Sequence, residues 1–247
     1  AWRRTGELDI GDGILRQIDG IVFDKDGTLF DFEATWTPWA AQVLMELCKN
    51  DRARAENLGK AVGFDLETRK FDPKSIVIAG TPEDIVAEFA DLMPEYSQAQ
   101  IVQILNATAE NAPMAETVPL APYLAGLAQS GLKLGVATND AEAPARAHLS
   151  AVGAIGHLDF IAGSDSGYGG KPAAGQLLGF CEITGIAPER AAMVGDSLHD
   201  LVAGKAAGFL RIGVLTGLAT REELEPHADV VLDHIGQIPE WLDLKQP

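Results

Sequence analysis

Nine residues near the start, Ile21-Val22-Phe23-Asp24-Lys25-Asp26-Gly27-Thr28-Leu29, constrain this chain more than any others. A short apolar run passes directly into two carboxylates two positions apart. Side chains alternate along a strand, so Asp24 and Asp26 are expected on one side and Lys25 on the other. Gly27 then permits a sharp turn. Two carboxylates at the end of a buried strand repel each other and lose hydration, which drives each toward protonation unless positive charge is supplied. Such a strand end suits a cation or acid–base chemistry. Asp-Gly is also an ordinary turn dipeptide, so the decision rests on the rest of the chain.

Downstream the pattern divides. Residues 1–18 read as a loose lead-in and Asp19 to Phe23 as the first strand. From Trp36 to about Ala115 apolar residues recur at helical spacing (Trp36, Trp39 or Ala40, Val43, Leu44, Leu47), and the block reads as nearly all helix. Ser97-x-x-Gln100 resembles a capping box, and Thr81-Pro82 a cap followed by proline at the first helical position. From Val118 onward, strand-like runs at 133–138, 160–163, 191–195, 210–215 and 230–232 alternate with helical stretches at 122–129, 141–151, 172–184, 198–207 and 220–224. That alternation predicts an α/β fold, a Rossmann-like parallel sheet with helices on both faces. The expected domains are 1–31 with 116–247 as the sheet domain, and 32–115 as an inserted α-helical cap domain.

With 247 residues and 47% apolar residues, the chain can bury a full core, and no apolar run is long enough to span a bilayer. A formal net charge of −17 disfavours nucleic acid and anionic membranes as partners. Cys48 and Cys181 are far apart, which fits a reducing compartment. Arg3-Arg4 is not read as a twin-arginine signal, because Glu7, Asp9 and Asp12 occupy the place of an apolar segment. A cytoplasmic location is the expectation.

In a parallel α/β sheet, ligands meet the carboxyl ends of the strands. Those ends carry Asp24 and Asp26; Thr138, Asn139 and Asp140; a glycine-rich loop ending in Lys171; and Asp196, Ser197 and Asp200. Three carboxylates (Asp24, Asp26, Asp196) are hard oxygen donors of the kind that suit Mg²⁺. Lys171 and Thr138 supply the ammonium and hydroxyl that a transferring phosphoryl group needs. Lys171 precedes Pro172, where a helix is expected to begin, and that dipole also favours an anion. Singly, each has a plain alternative: Thr138 as a helix cap, Lys171 as a surface lysine, Asp196 and Asp200 as first-turn acids. Gly170-Lys171 is no P-loop, since Pro172 stands at the Ser/Thr position. The five histidines show no ligand spacing, and His199 reads as a solvated helix-start residue.

The ordered set Asp24-Lys25-Asp26-Gly27-Thr28-Leu29, Thr138-Asn139, Lys171 and Gly195-Asp196-Ser197-x-x-Asp200 resembles the four motifs of the haloacid dehalogenase-like hydrolase superfamily, in its phosphatase branch. More loosely, the chain is similar to phosphoglycolate-phosphatase-like members. The resemblance implies Asp24 as nucleophile and Mg²⁺ ligand, and Asp26 as general acid/base and Mg²⁺ ligand through its main-chain oxygen. It implies Thr138, with the backbone around Asn139, on the phosphoryl oxygens, Lys171 as their countercharge, and Asp196 on the metal with Asp200 in support. Gly27 and Thr28 complete the first motif. The implied substrate is a small phosphorylated metabolite, 2-phosphoglycolate or a similar ester, hydrolysed with Mg²⁺ through an aspartyl-phosphate. Lys25 departs from the family's usual apolar residue and is expected to point away from the site. Asp31-Phe32 replaces the usual acid–serine pair.

A dehalogenase of this superfamily needs no acid at the position of Asp26. A sugar-phosphate mutase would use the same motifs. A receiver-like phospho-accepting regulator would order its acids differently and carry no cap, and a non-catalytic role is at odds with intact motifs. The block 32–115 holds 13 acids against 7 bases. Arg52, Arg54, Lys60, Arg69, Lys70 and Lys74 are candidates to meet a second anionic group, while Trp36 and Trp39 are candidates to line the pocket that read first as packing within the cap.

Overall fold

The structure is a computed structural model that describes residues 3–4, 8–9 and 15–245. In chain order its main elements are β1 (Gly20–Phe23), α1 (Phe32–Leu47), α2 (Arg52–Ala61), α3 (Pro82–Phe89), α4 (Gln98–Ala109), α5 (Leu120–Gln129), β2 (Lys133–Ala137), α6 (Glu142–Ala151), β3 (Phe160–Ala162), α7 (Gly175–Thr184), β4 (Ala191–Gly195), α8 (Leu198–Ala207), β5 (Leu210–Val214) and β6 (Val230–Leu232).

The six strands form one parallel sheet in the order β6-β5-β4-β1-β2-β3. The first strand therefore sits in the middle, between β4 and β2, although the helical block separates it from both in sequence. Alternation sends Ile21 and Phe23 to one face, where they pack with Leu134, Val194 and Ile212 beneath α5 and α6. Val22 goes to the other face, with Met193, beneath Leu177 and Phe180 of α7. Both faces are covered, which explains why the strands read as apolar runs.

Helices α1–α4 enclose a separate apolar core containing Trp36, Leu44, Leu58, Phe89, Ile101 and Leu105. The Asp31 side chain caps α1, accepting from the Ala34 N–H at 2.8 Å. Both capping signals are present: Thr81 pairs reciprocally with Asp84, and Ser97 with Gln100. The chain enters and leaves this block side by side. Asp31 N–H donates to Ala115 O (2.8 Å), Thr117 N–H to Leu29 O (3.0 Å), and Phe30 bridges Glu116 antiparallel.

Three expectations are corrected. The helical block also contains a short antiparallel ladder, Phe64–Asp65 with Lys70–Phe71, where two-residue strands are too brief to show a period. The lead-in is not wholly loose: Arg3–Arg4 pairs with Leu244–Lys245, and Leu8–Asp9 with Leu15–Arg16. Residues 1–2, 5–7 and 10–14, with Glu7 and Asp12 of the export-signal argument, lie outside the described residues. Finally, α7 begins at Gly175 and not at Pro172, so Lys171 sits in the preceding loop. No helix among the described residues is long and apolar enough to cross a membrane.

Candidate active site

Every motif residue lies at the carboxyl edge of the sheet. Asp24 follows β1, Thr138 and Asn139 follow β2, Lys171 comes from the loop after β3, and Asp196 follows β4. Asp24, Asp26, Thr138, Asn139, Lys171, Asp196 and Asp200 line one cavity beneath the helical block.

Lys171 is its electrostatic centre. Its buried ammonium donates to Asp24 Oδ1 and Asp200 Oδ1, each at 2.6 Å. Burial alone would lower its pKa, but Asp200 and Asp24 outweigh that and hold the ammonium well above its ordinary value. Asn139 clamps the lysine backbone: its Oδ1 accepts from Lys171 N–H (2.7 Å) and its Nδ2 donates to Lys171 O (2.8 Å). The Asn139 side chain thus holds Lys171 in place. Thr138 has its carbonyl fixed by Gln176 Nε2 (2.9 Å), and its Oγ1 accepts from Asp140 N–H (3.1 Å). Asp200 Oδ2 accepts from the N–H (3.1 Å) and hydroxyl (2.7 Å) of Ser197, so the capping box of α8 also orients the acid that holds Lys171.

One oxygen from each of Asp24, Asp196 and Asp200 lies within 4.8 Å of the other two. Burial, against partial relief from Lys171, pushes the Asp24 carboxyl up to about 7. Burial and then Asp24 and Asp200 push Asp196 well above the ordinary range. Three buried carboxylates thus share one ammonium, and the raised proton affinity of Asp24 and Asp196 marks uncompensated negative charge. A hard divalent cation would offset it, and the all-oxygen donor set fits one.

The first motif differs from expectation in one respect. Lys25 is fully buried, and its Nζ lies 2.8 Å from Asp26 Oδ2 and 3.2 Å from Asp140 Oδ2. The strand ends at Phe23, so alternation no longer governs Lys25, and the lysine folds back to pair with the neighbouring acid. Asp26 and Asp140, in that order, outweigh its large burial cost and hold it charged. It also stands 5.1 Å above the Trp36 ring and 3.3 Å from His148 Nδ1.

Sequence spacing missed the contributions of His148, Thr216 and Gly217. His148 is fully buried, with Nε2 2.7 Å from Ala109 O, so it joins the helical block to the sheet domain. Thr216 Oγ1 donates to Gly27 O at 2.6 Å. Gly217 is required because a β-carbon there would overlap the Asp196 carboxylate, and Gly27 has φ +79° with its missing β-carbon 2.4 Å from Asp196 Oδ2. Thr28 Oγ1 lies 3.4 Å from Asp196 Oδ1. His199, read as solvated, is half-buried and lines the cavity. Trp36 and Trp39 do both things: they pack in the core of the helical block and face the cavity. None of Arg52, Arg54, Lys60, Arg69, Lys70 or Lys74 lines it. Arg52 pairs with Glu56 at 2.9 Å, Arg54 with Glu95 at 2.6 Å, and the four others are exposed.

With fold and site in hand, the class is clear. The chain belongs to the haloacid dehalogenase-like hydrolase family, whose pattern it matches over residues 18–208. Within it, the chain resembles phosphoglycolate phosphatases. It is 33% identical over 124 residues to the phosphoglycolate phosphatase of Rhodospirillum rubrum (50% of this chain, 52% of the relative). It is 36% identical over 125 residues to that of Neisseria meningitidis (50% and 53%). The chain thus spans about half the length of the curated relatives it matches. The crystal structure of CbbY from Rhodobacter sphaeroides in complex with phosphate shares the fold, with TM-score 0.67 and 24% identity over 92% of this chain and all of that one.

Proposed function

We propose that this protein is a phosphatase that hydrolyses a small phosphomonoester in the cytoplasm through an aspartyl-phosphate on Asp24. The observation that carries this reading is the pair of 2.6 Å contacts by which the Lys171 ammonium holds Asp24 beside Asp200 at the floor of a capped cavity. An Asp24 oxygen forms a bond to phosphorus as the bond from phosphorus to the ester oxygen breaks. Asp26 gives its proton to the departing alcohol, then takes one from the water that attacks phosphorus and releases Asp24 and inorganic phosphate. Lys171 and Thr138 offset charge on the phosphoryl oxygens. Lys25, paired with the Asp26 carboxyl group, fixes its position.

The metal would be Mg²⁺, held by the Asp24 and Asp196 side chains and the Asp26 main-chain oxygen, with Asp200 in support. When bound, it supplies neutralising charge to the phosphoryl group. The names of the relatives make 2-phosphoglycolate the first ester to try. The test is phosphate release from a panel of phosphomonoesters with and without Mg²⁺, with Asp24→Asn beside the wild type. Release that requires Mg²⁺ and disappears in the variant supports the reading. Release that survives Asp24→Asn removes the nucleophile, and with it the mechanism.

A further inference from the structure

The helical block offers the cavity no positive charge. It contributes Trp36, Trp39, Val77, Ile78, Ile85 and Leu105, with Asn106 as its polar side chain. The Trp39 indole N–H is spent on Thr108 Oγ1 (3.0 Å), so Trp39 presents only its ring. The two tryptophans meet edge to face, centroids 4.9 Å apart, and so brace each other as a fixed aromatic corner. The block is already seated on the sheet domain. A β-carbon placed at Gly170 would lie 3.2 Å from Thr81 Cγ2, and His148 reaches Ala109 O. The cations of the block stand outside this seated arrangement.

On the opposite wall, Asp24, Asp26, Asp140, Asp196 and Asp200 face the cavity. The two ammonium groups nearby are both committed, Lys171 to Asp24 and Asp200, and Lys25 to Asp26 and Asp140. A substrate whose alcohol carried a carboxylate or a second phosphate would place that anion against a wall of aromatic and aliphatic side chains that offers the Asn106 amide but no cation. A buried unpaired charge of that kind is strongly disfavoured. An uncharged apolar body would instead be removed from water against the same side chains.

We infer that the cavity takes phosphomonoesters whose alcohol bears an uncharged, apolar ring, and discriminates against 2-phosphoglycolate and other doubly anionic esters. The inference rests on the phosphatase reading for its phosphoryl subsite, but its test does not require turnover. Benzylphosphonate and phosphonoacetate carry a phenyl ring or a carboxylate on the same methylene-phosphonate group, and neither is hydrolysed. Titrated calorimetrically into the wild-type protein with Mg²⁺, benzylphosphonate is expected to bind at least about tenfold more tightly. Asn106→Lys, which adds a cation to this wall, is expected to narrow or invert that ratio. Equal or tighter binding of phosphonoacetate by the wild type, or no binding of either, overturns the inference. Phosphate release from benzyl phosphate and from 2-phosphoglycolate separates the two claims. A ring preference in binding with no release from any ester removes the phosphatase reading and keeps this one. Faster release from 2-phosphoglycolate does the reverse.

Discussion

His148 gives the sharpest test of how the helical block is joined to the sheet domain. Its ring is fully buried between Phe30 and Trp36, at centroid distances of 6.2 and 6.5 Å. With Nε2–H donating to Ala109 O, Nδ1 is left as an acceptor facing Lys25 Nζ at 3.3 Å. Protonation would turn that acceptor into a donor aimed at an ammonium. Burial first, then Lys25, lower the imidazole from 6.5 to about 4. Between those values the unfolded ring holds a proton that the folded ring does not. Stability therefore rises with pH across the window: the contribution is complete above pH 6.5 and is lost as pH falls through 4. At ~1.36 kcal/mol per pH unit this amounts to roughly 3 kcal/mol. Asp24 and Asp140 act with the opposite sign. Burial raises them from 3.8 to about 7 and about 6, so their contribution to stability falls as pH rises through those ranges. A comparison of wild type with His148→Gln cancels them. Urea unfolding by tryptophan fluorescence from pH 7.5 to 4 is expected to show the variant about 1 kcal/mol less stable at neutral pH. The gap should close and reverse by pH 4 as the wild type loses its roughly 3 kcal/mol. A gap that stays constant with pH would show that His148 is not held neutral, and the reasoning would fall.

Three further outcomes are expected. Lys25→Met leaves Asp26 and Asp140 without their buried countercharge and should cost about 3–5 kcal/mol in denaturant unfolding at neutral pH; a loss below about 1 kcal/mol would mean the cluster is solvated. Gly27→Ala forces an alanine to the left-handed φ of +79° and toward Asp196, so it should lower stability by about 1–3 kcal/mol and weaken Mg²⁺ affinity in a calorimetric titration. Mg²⁺ should raise the unfolding temperature, by the equivalent of about 2.7 kcal/mol at a hundredfold excess over Kd, and Asp196→Asn should remove most of that. The Mg²⁺ effect should be larger at pH 8 than at pH 6, because Asp24, raised to about 7, must lose its proton to act as a ligand.

The sheet was legible because its strands are buried on both faces, and continuous apolar runs such as Ala191–Gly195 and Val230–Leu232 end where composition changes. The residues brought to one edge, Asp24, Thr138, Lys171 and Asp196, were legible from their order along the chain. What escaped depends on three-dimensional closure. Lys25 was assigned by strand alternation two residues past the strand's end, and its partners Asp140 and His148 are far away in sequence. Gly217 and Thr216 matter only because the loop after β5 folds over Asp196 and Gly27, and no local pattern records that. The basic residues of the helical block looked available by count, but count does not tell which face of a helix meets the cavity.

The paired entry and exit of the helical block has an evolutionary consequence. Its two ends, at Asp31 and Ala115, are already hydrogen-bonded neighbours, so a block of another length or shape spliced between them incurs little extra loop-closure entropy. None of the five parallel pairings of the sheet uses a residue from within the block. An exchanged block would need to reproduce contacts such as those of Ala109 with His148 and Trp36 with Lys25. Substrate choice can thus drift quickly in this architecture, while the carboxylates and lysine at the sheet edge stay where they are.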